Sequence, residues 1–139
     1  MVILITGDGS FQMNIQELAT AVINKIDIKI FIMNNNSLGM VRQLQQLFFK
    51  KRYFGVNLSS PNGIYSKNDD NFVPDFSLLA KAYNLMAIKL KKLEDMENLL
   101  EHALNVKGTV IVNCIIGQEE NVYPIIPPNA SLDEMIEEL

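Results

Sequence analysis

Four short apolar runs rich in β-branched residues recur along the chain, at residues 2–6, 28–33, 86–90 and 109–116. Runs of this length and composition read as strands of a parallel sheet buried on both faces. Between them, apolar positions recur at helical spacing. Ile15, Leu18, Ala21 and Val22 share one face of a helix predicted over residues 14–24. Leu38, Val41, Leu44 and Phe48 form a second stripe, and Phe76, Leu79, Ala80 and Tyr83 a third. Leu93, Met96, Leu99, Leu100 and Leu104 form a fourth. Such stripes face a core. Asp75, after Pro74, is placed to cap the third helix, and Gly108 suits the C′ position of the fourth. The alternation predicts a three-layer α/β/α sandwich with a mainly parallel sheet and right-handed crossovers.

Two segments lie outside this rhythm. Residues 51–73 are rich in Asn, Ser, Asp, Pro and Gly, with no periodicity. That is long for a connection in a compact domain, so the segment is expected to be functional or mobile. After Gly117 come acids and Pro124, Pro127 and Pro128, then a short helical signal over residues 131–139. This part reads as an extended arm that packs against something. The first strand run starts at Val2, with no leader before it. The expectation is therefore that residues 1–139 are part of a longer polypeptide.

Composition narrows the classes. The chain has 139 residues, 48% hydrophobic and 20% charged, with a formal net charge of −4. These are values of one globular domain with a real core and no electrostatic footprint for nucleic acid. Lys50, Lys51 and Arg52 make a short basic run that reads as a solvated loop. No run approaches the roughly 18 apolar residues of a membrane span, and no signal peptide is recognisable, so a cytoplasmic location is expected. Cys114 lies inside the fourth strand run and reads as a buried, inert thiol. His102 has no neighbouring His or Cys, which argues against zinc chemistry.

The candidate chemistry sits at two strand ends. GDGS, from Gly7 to Ser10, follows the first strand run, and Asn34, Asn35 and Asn36 follow the second, with 24 residues between Gly9 and Asn34. Ligands bind at the carboxyl edge of open parallel sheets. Asp8, read as an exposed carboxylate at a strand end, could cap the next helix or form a turn, or it could ligate a metal. A second loop that offers amide oxygens favours the ligand reading. Mg²⁺ takes six oxygens, usually one or two carboxylates with phosphate oxygens and water. Gly7 and Gly9 leave room for a diphosphate, Ser10 can donate to it, and Gly39 allows a second close approach. A helix starting near Asn14 could turn its amide end toward the anion. The pattern points to a metal–diphosphate site.

These residues resemble the thiamine diphosphate motif, GDG followed by NN. The segments GDGSFQMNIQELATA, MNNNSLGMVRQLQQLFF and VYPIIPP are similar to the large catalytic subunit of acetolactate synthase (acetohydroxyacid synthase). The similarity runs over nearly the whole chain and is weakest at residues 56–72, which look like an insertion. It implies a thiamine diphosphate-binding fold, with residues 1–139 a partial C-terminal, diphosphate-side domain. The pyrimidine-side and middle domains are absent, and FAD is expected only in the middle one. It implies Asp8 as carboxylate ligand of Mg²⁺, Asn35 as amide ligand and the Ser37 backbone carbonyl as third ligand. Three successive Asn leave the register open by one, and the following LGM favours Asn35. Gly7, Gly9, Ser10, Asn34 and Gly39 would surround the diphosphate. Met13 and Met40 would lie near the cofactor or substrate channel, with core packing as the alternative for each.

The implied reaction joins pyruvate to a second 2-oxo acid, pyruvate or 2-oxobutyrate, with loss of CO₂, in the biosynthesis of isoleucine and valine. Many family members carry Trp where Leu44 stands, and the smaller side chain is expected to relax acceptor preference, since pockets weigh one methylene at only about 1–3 kcal/mol. The glutamate that activates the aminopyrimidine comes from another domain of a partner subunit. No residue here takes that role, and Glu17 reads as helix surface. The implied partners are the missing domains, a second catalytic subunit and a small regulatory subunit, with no nucleic acid and no membrane. The motifs alone also admit another thiamine diphosphate-dependent 2-oxo acid decarboxylase or carboligase. A non-catalytic α/β binding module is the remaining reading, although G-x-G-x-x-G and a Walker lysine are missing.

Overall fold

The computed structural model describes residues 1–58 and 74–138. The four apolar runs form strands β1 (Val2–Gly7), β2 (Ile28–Asn34), β3 (Met86–Leu90) and β4 (Val110–Ile115). They make one parallel sheet in the order β1-β2-β4-β3. The helices are α1 (Asp8–Gln12), α2 (Leu18–Ile23), α3 (Gly39–Phe48), α4 (Phe76–Ala82) and α5 (Met96–Asn105).

Side chains alternate across a strand, so one run supplies both faces. Ile30, Ile32 and Ile111 pack with Phe11 of α1, Leu18 of α2, and Phe76 and Ala80 of α4. Phe31, Ile88, Val110 and Val112 pack with Ala103 of α5 on the other face. Helices thus cover both faces, the layering predicted from the alternation and the one that right-handed crossovers produce. Phe11 and Phe76 meet edge to face at 5.6 Å between ring centres, tying the first helix to the fourth. Asp75 caps α4 as expected, accepting from the amides of Ser77 (2.8 Å) and Leu78 (3.1 Å).

Several expectations are corrected. β1 is an edge strand, and Val2, Ile3, Leu4 and Ile5 are exposed rather than buried. Sequence composition marks a strand but not its rank in the sheet. The helix predicted over residues 14–24 is broken: α1 starts directly at Asp8, one 3₁₀ turn covers Ile15–Glu17, and α2 begins only at Leu18. Asn14, at φ −137° and ψ 32°, leaves helical geometry and makes the break. In the fourth stripe, Leu99 and Leu100 pack beside Ala103, whereas Leu93, Met96 and Leu104 stay exposed. Helix α5 ends with Val106 as its cap, and Gly108, left-handed at φ 88°, turns the chain into β4 two residues later. The helical signal at 131–139 is one 3₁₀ turn, Leu132–Glu134, closed by a capping box between Ser131 and Glu134.

One buried charge was hidden in a strand run. Lys29 in β2 is fully buried. Its ammonium pairs with the Asp27 carboxylate and donates to the carbonyls of Val106 and Gly108, both at 2.6 Å. The charge is tolerated because every contact is an oxygen. Residues 59–73 lie outside the described part, so the expectation that 51–73 is functional or mobile can be followed only at its start. Residues 56–58 are docked, with Val56 and Asn57 buried and Asn57 bridging Ser37 in antiparallel fashion, whereas Lys51, Arg52 and Phe54 are exposed. No described helix is long and apolar enough to cross a membrane.

Candidate functional site

The sheet order puts the ends of β1 and β2 side by side, with Gly7 opposite Met33. Asp8 and the Asn34–Ser37 loop therefore emerge at the same edge. Asp8 is the first residue of α1 and 1% exposed. Its Oδ1 accepts from the Gly9 amide at 3.0 Å, and its Oδ2 is buried with no hydrogen-bond partner among the described residues. Burial pushes the Asp8 carboxyl above its ordinary pKa. The amides of Gly9, Asn36, Asp8 and Ser37 oppose that shift, although those of Asn36 and Ser37 donate to the Asn34 and Asn35 side chains. None of them closes a hydrogen bond on Oδ2. A buried carboxylate oxygen left so is costly unless something positive meets it.

The second loop is held by its own side chains. Asn34 ends β2 and is buried; its Oδ1 accepts from the Asn36 amide at 3.2 Å, and its Nδ2 donates to Asn113 Oδ1 at 3.1 Å. Asn35 Oδ1 accepts from the Ser37 amide at 3.1 Å. Asn36 is left-handed at φ 55°, a conformation Asn tolerates better than most residues. Ser37 is buried; its Oγ donates to the Val56 carbonyl at 3.0 Å. The Leu38 amide donates to the same carbonyl at 2.8 Å, and the Leu58 amide to the Asn36 carbonyl at 2.9 Å. The start of the irregular segment thus clamps the loop from outside.

At two glycines an added methyl would meet the end of a neighbouring side chain, which would have to shift. A Cβ on Gly9 would fall 2.8 Å from Leu38 Cδ2, and one on Gly39 2.8 Å from Asn35 Nδ2. Gly7 has no such neighbour, so the structure gives no steric reason for it. Ser10 is exposed on α1. Met13 and Met40 are 79% and 50% exposed, which removes core packing as their role. Leu44 is half-buried on α3. Glu17 is on the surface and accepts from the Thr20 hydroxyl at 3.0 Å. Cys114 is buried, and burial pushes its thiol pKa up, as suits an inert sulfur. His102 is exposed.

Helix α3 departs most from its predicted role. Of its apolar stripe, Leu38, Val41 and Phe48 are exposed, while the polar Arg42 and Gln43 are buried. Periodicity counts apolar positions and misses polar side chains satisfied by distant backbone. Asn113 was missed likewise, although a polar residue interrupting the fourth apolar run is a legible signal. Beside Asn34 and Asn113 opens a groove of about 370 Å³, flanked by Asn36, Asp75, Lys89 and Lys91. No group of three or more acidic, Cys or His side chains forms a metal cage among the described residues. One carboxylate, amide oxygens and backbone carbonyls make a donor set that fits a hard cation whose remaining oxygens come from a ligand.

Residues 1–114 match the family described as thiamine pyrophosphate enzyme, C-terminal TPP binding domain. The acetolactate synthase isozyme 2 large subunit of Escherichia coli K12 is 41% identical over 99% of the chain. The acetolactate synthase large subunit of Cyanidium caldarium is 39% identical over 98% of it, and acetolactate synthase 1, chloroplastic, of Zea mays 34% over 97%. The chain spans about a fifth of the length of these relatives, 23%, 21% and 20% respectively.

Proposed function

We propose that this chain, which belongs to the thiamine pyrophosphate enzymes as a C-terminal TPP-binding domain, forms the diphosphate- and Mg²⁺-holding half of an acetolactate synthase active site. The observation that carries this reading is the buried Asp8 Oδ2, without a partner among the described residues, at the end of β1 beside the end of β2. Asp8 is the carboxylate ligand, Asn35 the amide-oxygen ligand and Ser37 the carbonyl ligand. An amide oxygen has two lone pairs, so Asn35 can keep the Ser37 amide and still ligate. Asn34 is committed to Asn113 and borders the diphosphate, together with Gly7, Gly9, Ser10 and Gly39. Met13 and Met40, both exposed, face cofactor or substrate, and Leu44 borders the pocket of the second 2-oxo acid.

Bound thiamine diphosphate supplies the carbanion chemistry that joins two 2-oxo acids with loss of CO₂. The residues of this chain bind the diphosphate, fix its metal and orient it. The remaining domains and a second catalytic subunit bring the pyrimidine side, including the activating glutamate. The 139 residues alone therefore form no acetolactate.

The test is thermal unfolding of the chain with Mg²⁺ and thiamine diphosphate together, each alone, and with ATP or NAD. The expected result is a rise in Tm with the first combination only, since a ligand that binds the native state alone stabilises it. No rise, or an equal rise with ATP, overturns the reading.

A further inference from the structure

We infer that Arg42 and Gln43 are positioning residues that strap the segment after β4 onto α3 and so hold the Ser37 loop in shape. The inference rests on the reading of that loop as part of the cofactor site. Arg42 is 5% exposed and Gln43 1%. Oxygens meet both Nη atoms of this buried guanidinium, which offsets its burial, while its Nε is buried without a partner among the described residues. Arg42 Nη2 donates to the carbonyls of Glu119 (3.0 Å) and Glu120 (3.2 Å) and to the Asn121 side-chain oxygen. Nη1 donates to Gln46 Oε1 at 3.0 Å. Gln43 completes the hold: its Nε2 donates to the Val122 carbonyl at 2.7 Å, and its Oε1 accepts from the Val122 amide at 3.0 Å. Gln43 thus pairs with Val122 as a neighbouring strand would.

Two adjacent side chains therefore grip four consecutive residues, 119–122, mainly through backbone. The strap starts and runs at the candidate site. The Ile116 amide donates to the Asn34 carbonyl at 3.0 Å. Gln118 and Glu119 then share the wall of a small cavity, about 40 Å³, with Ser37, Arg42 and Asn57. Helix α3 itself begins at Gly39, two residues after Ser37. The strap and the start of α3 thus flank the Asn34–Ser37 loop from both sides. Lysine cannot substitute, because its single ammonium lacks the planar fork that meets several oxygens at fixed angles.

The experiment compares the 139-residue chain with Arg42→Met, Arg42→Lys and Gln43→Leu. Hydrogen exchange is followed by mass spectrometry, and binding of thiamine diphosphate with Mg²⁺ by calorimetry. In Arg42→Met, exchange over residues 118–130 should accelerate roughly ten- to a hundred-fold while that of β2 stays unchanged. The cofactor dissociation constant should rise about tenfold. Gln43→Leu should do the same to a smaller degree, and Arg42→Lys should recover less than half of the loss. Unchanged exchange at 118–130 in both Arg42→Met and Gln43→Leu overturns the strap. Faster exchange there with undiminished cofactor affinity overturns its link to the Ser37 loop. Full recovery by Arg42→Lys overturns the requirement for the fork. If the unsubstituted chain binds no cofactor, the functional reading fails, and exchange still decides the strap. If Arg42→Met does not fold, Gln43→Leu decides both points.

Discussion

The Asn34 side-chain amide donates to Asn113 Oδ1 at 3.1 Å, and both residues are buried where β2 and β4 run side by side toward the candidate site. A polar pair of this kind is neutral while complete and costly when halved. Asn113→Ala should leave Asn34 Nδ2 buried and unpaired, at a cost of about 1–3 kcal/mol. Urea denaturation should show a lower midpoint with an unchanged slope. A midpoint equal to that of the parent chain would mean the pair holds nothing.

Asp8→Asn removes a buried charge whose Oδ2 has no partner among the described residues, while it keeps the shape of the side chain. It should abolish the rise in Tm produced by thiamine diphosphate with Mg²⁺. Without ligands, the variant should unfold no lower than the parent, because functional residues often carry a stability cost. Calorimetric titration that finds parental affinity in the variant would remove Asp8 from the metal site.

Gly39→Ala places a methyl 2.8 Å from Asn35 Nδ2, and Asn35 must swing to admit it. Gly39 opens α3, where alanine suits a helix at least as well as glycine. Fold stability should therefore change by less than about 1 kcal/mol, while cofactor affinity falls. Equal loss of stability and of binding would show that the methyl damages the fold rather than the ligand residue.

The acid limb of stability should depend on Asp27. The hydrogen bond from Lys29 holds its carboxyl below the ordinary value of 3.8, with further attraction from Lys29 and the amino terminus. A carboxylate with a depressed folded-state pKa adds stability that is complete above its unfolded value. That stability is lost as pH falls through the folded one. Tm should thus drop between roughly pH 5 and pH 3, and Asp27→Asn should flatten that drop. Parallel profiles for the two proteins would exclude the pair as the acid-sensitive link.

The parts of the structure legible in the sequence are those that obey one period. Phe76 and Ala80 lie four apart and are fully buried, as their spacing foretells. Asp75 and its two amides are local, so composition suffices to find them. Asp8 and the Asn34–Ser37 loop meet because β1 and β2 are neighbours, which their short helical connection foretells. What escaped depends on distant chain. Beyond its pair with Asp27, Lys29 is held by carbonyls of Val106 and Gly108, and Arg42 Nη2 by those of Glu119 and Glu120. Lys29 at least stands inside an apolar run, two residues from its partner Asp27, but the carbonyls that complete its shell lie far along the chain. The early start of α1 escaped for another reason: glycines at positions 7 and 9 read as a turn, while the helix begins between them.

The outer side of β1 gives the chain a lifetime as well as a shape. Val2, Ile3, Leu4 and Ile5 are exposed along an edge that no described strand pairs with. An apolar, uncovered edge is a template for any other extended chain. Encounters between two such edges scale with the square of concentration, whereas folding of one molecule does not. Dilute chain therefore stays native longer than concentrated chain at the same temperature. Soluble yield should therefore fall as chain concentration rises, even where the free energy of the folded domain is unchanged.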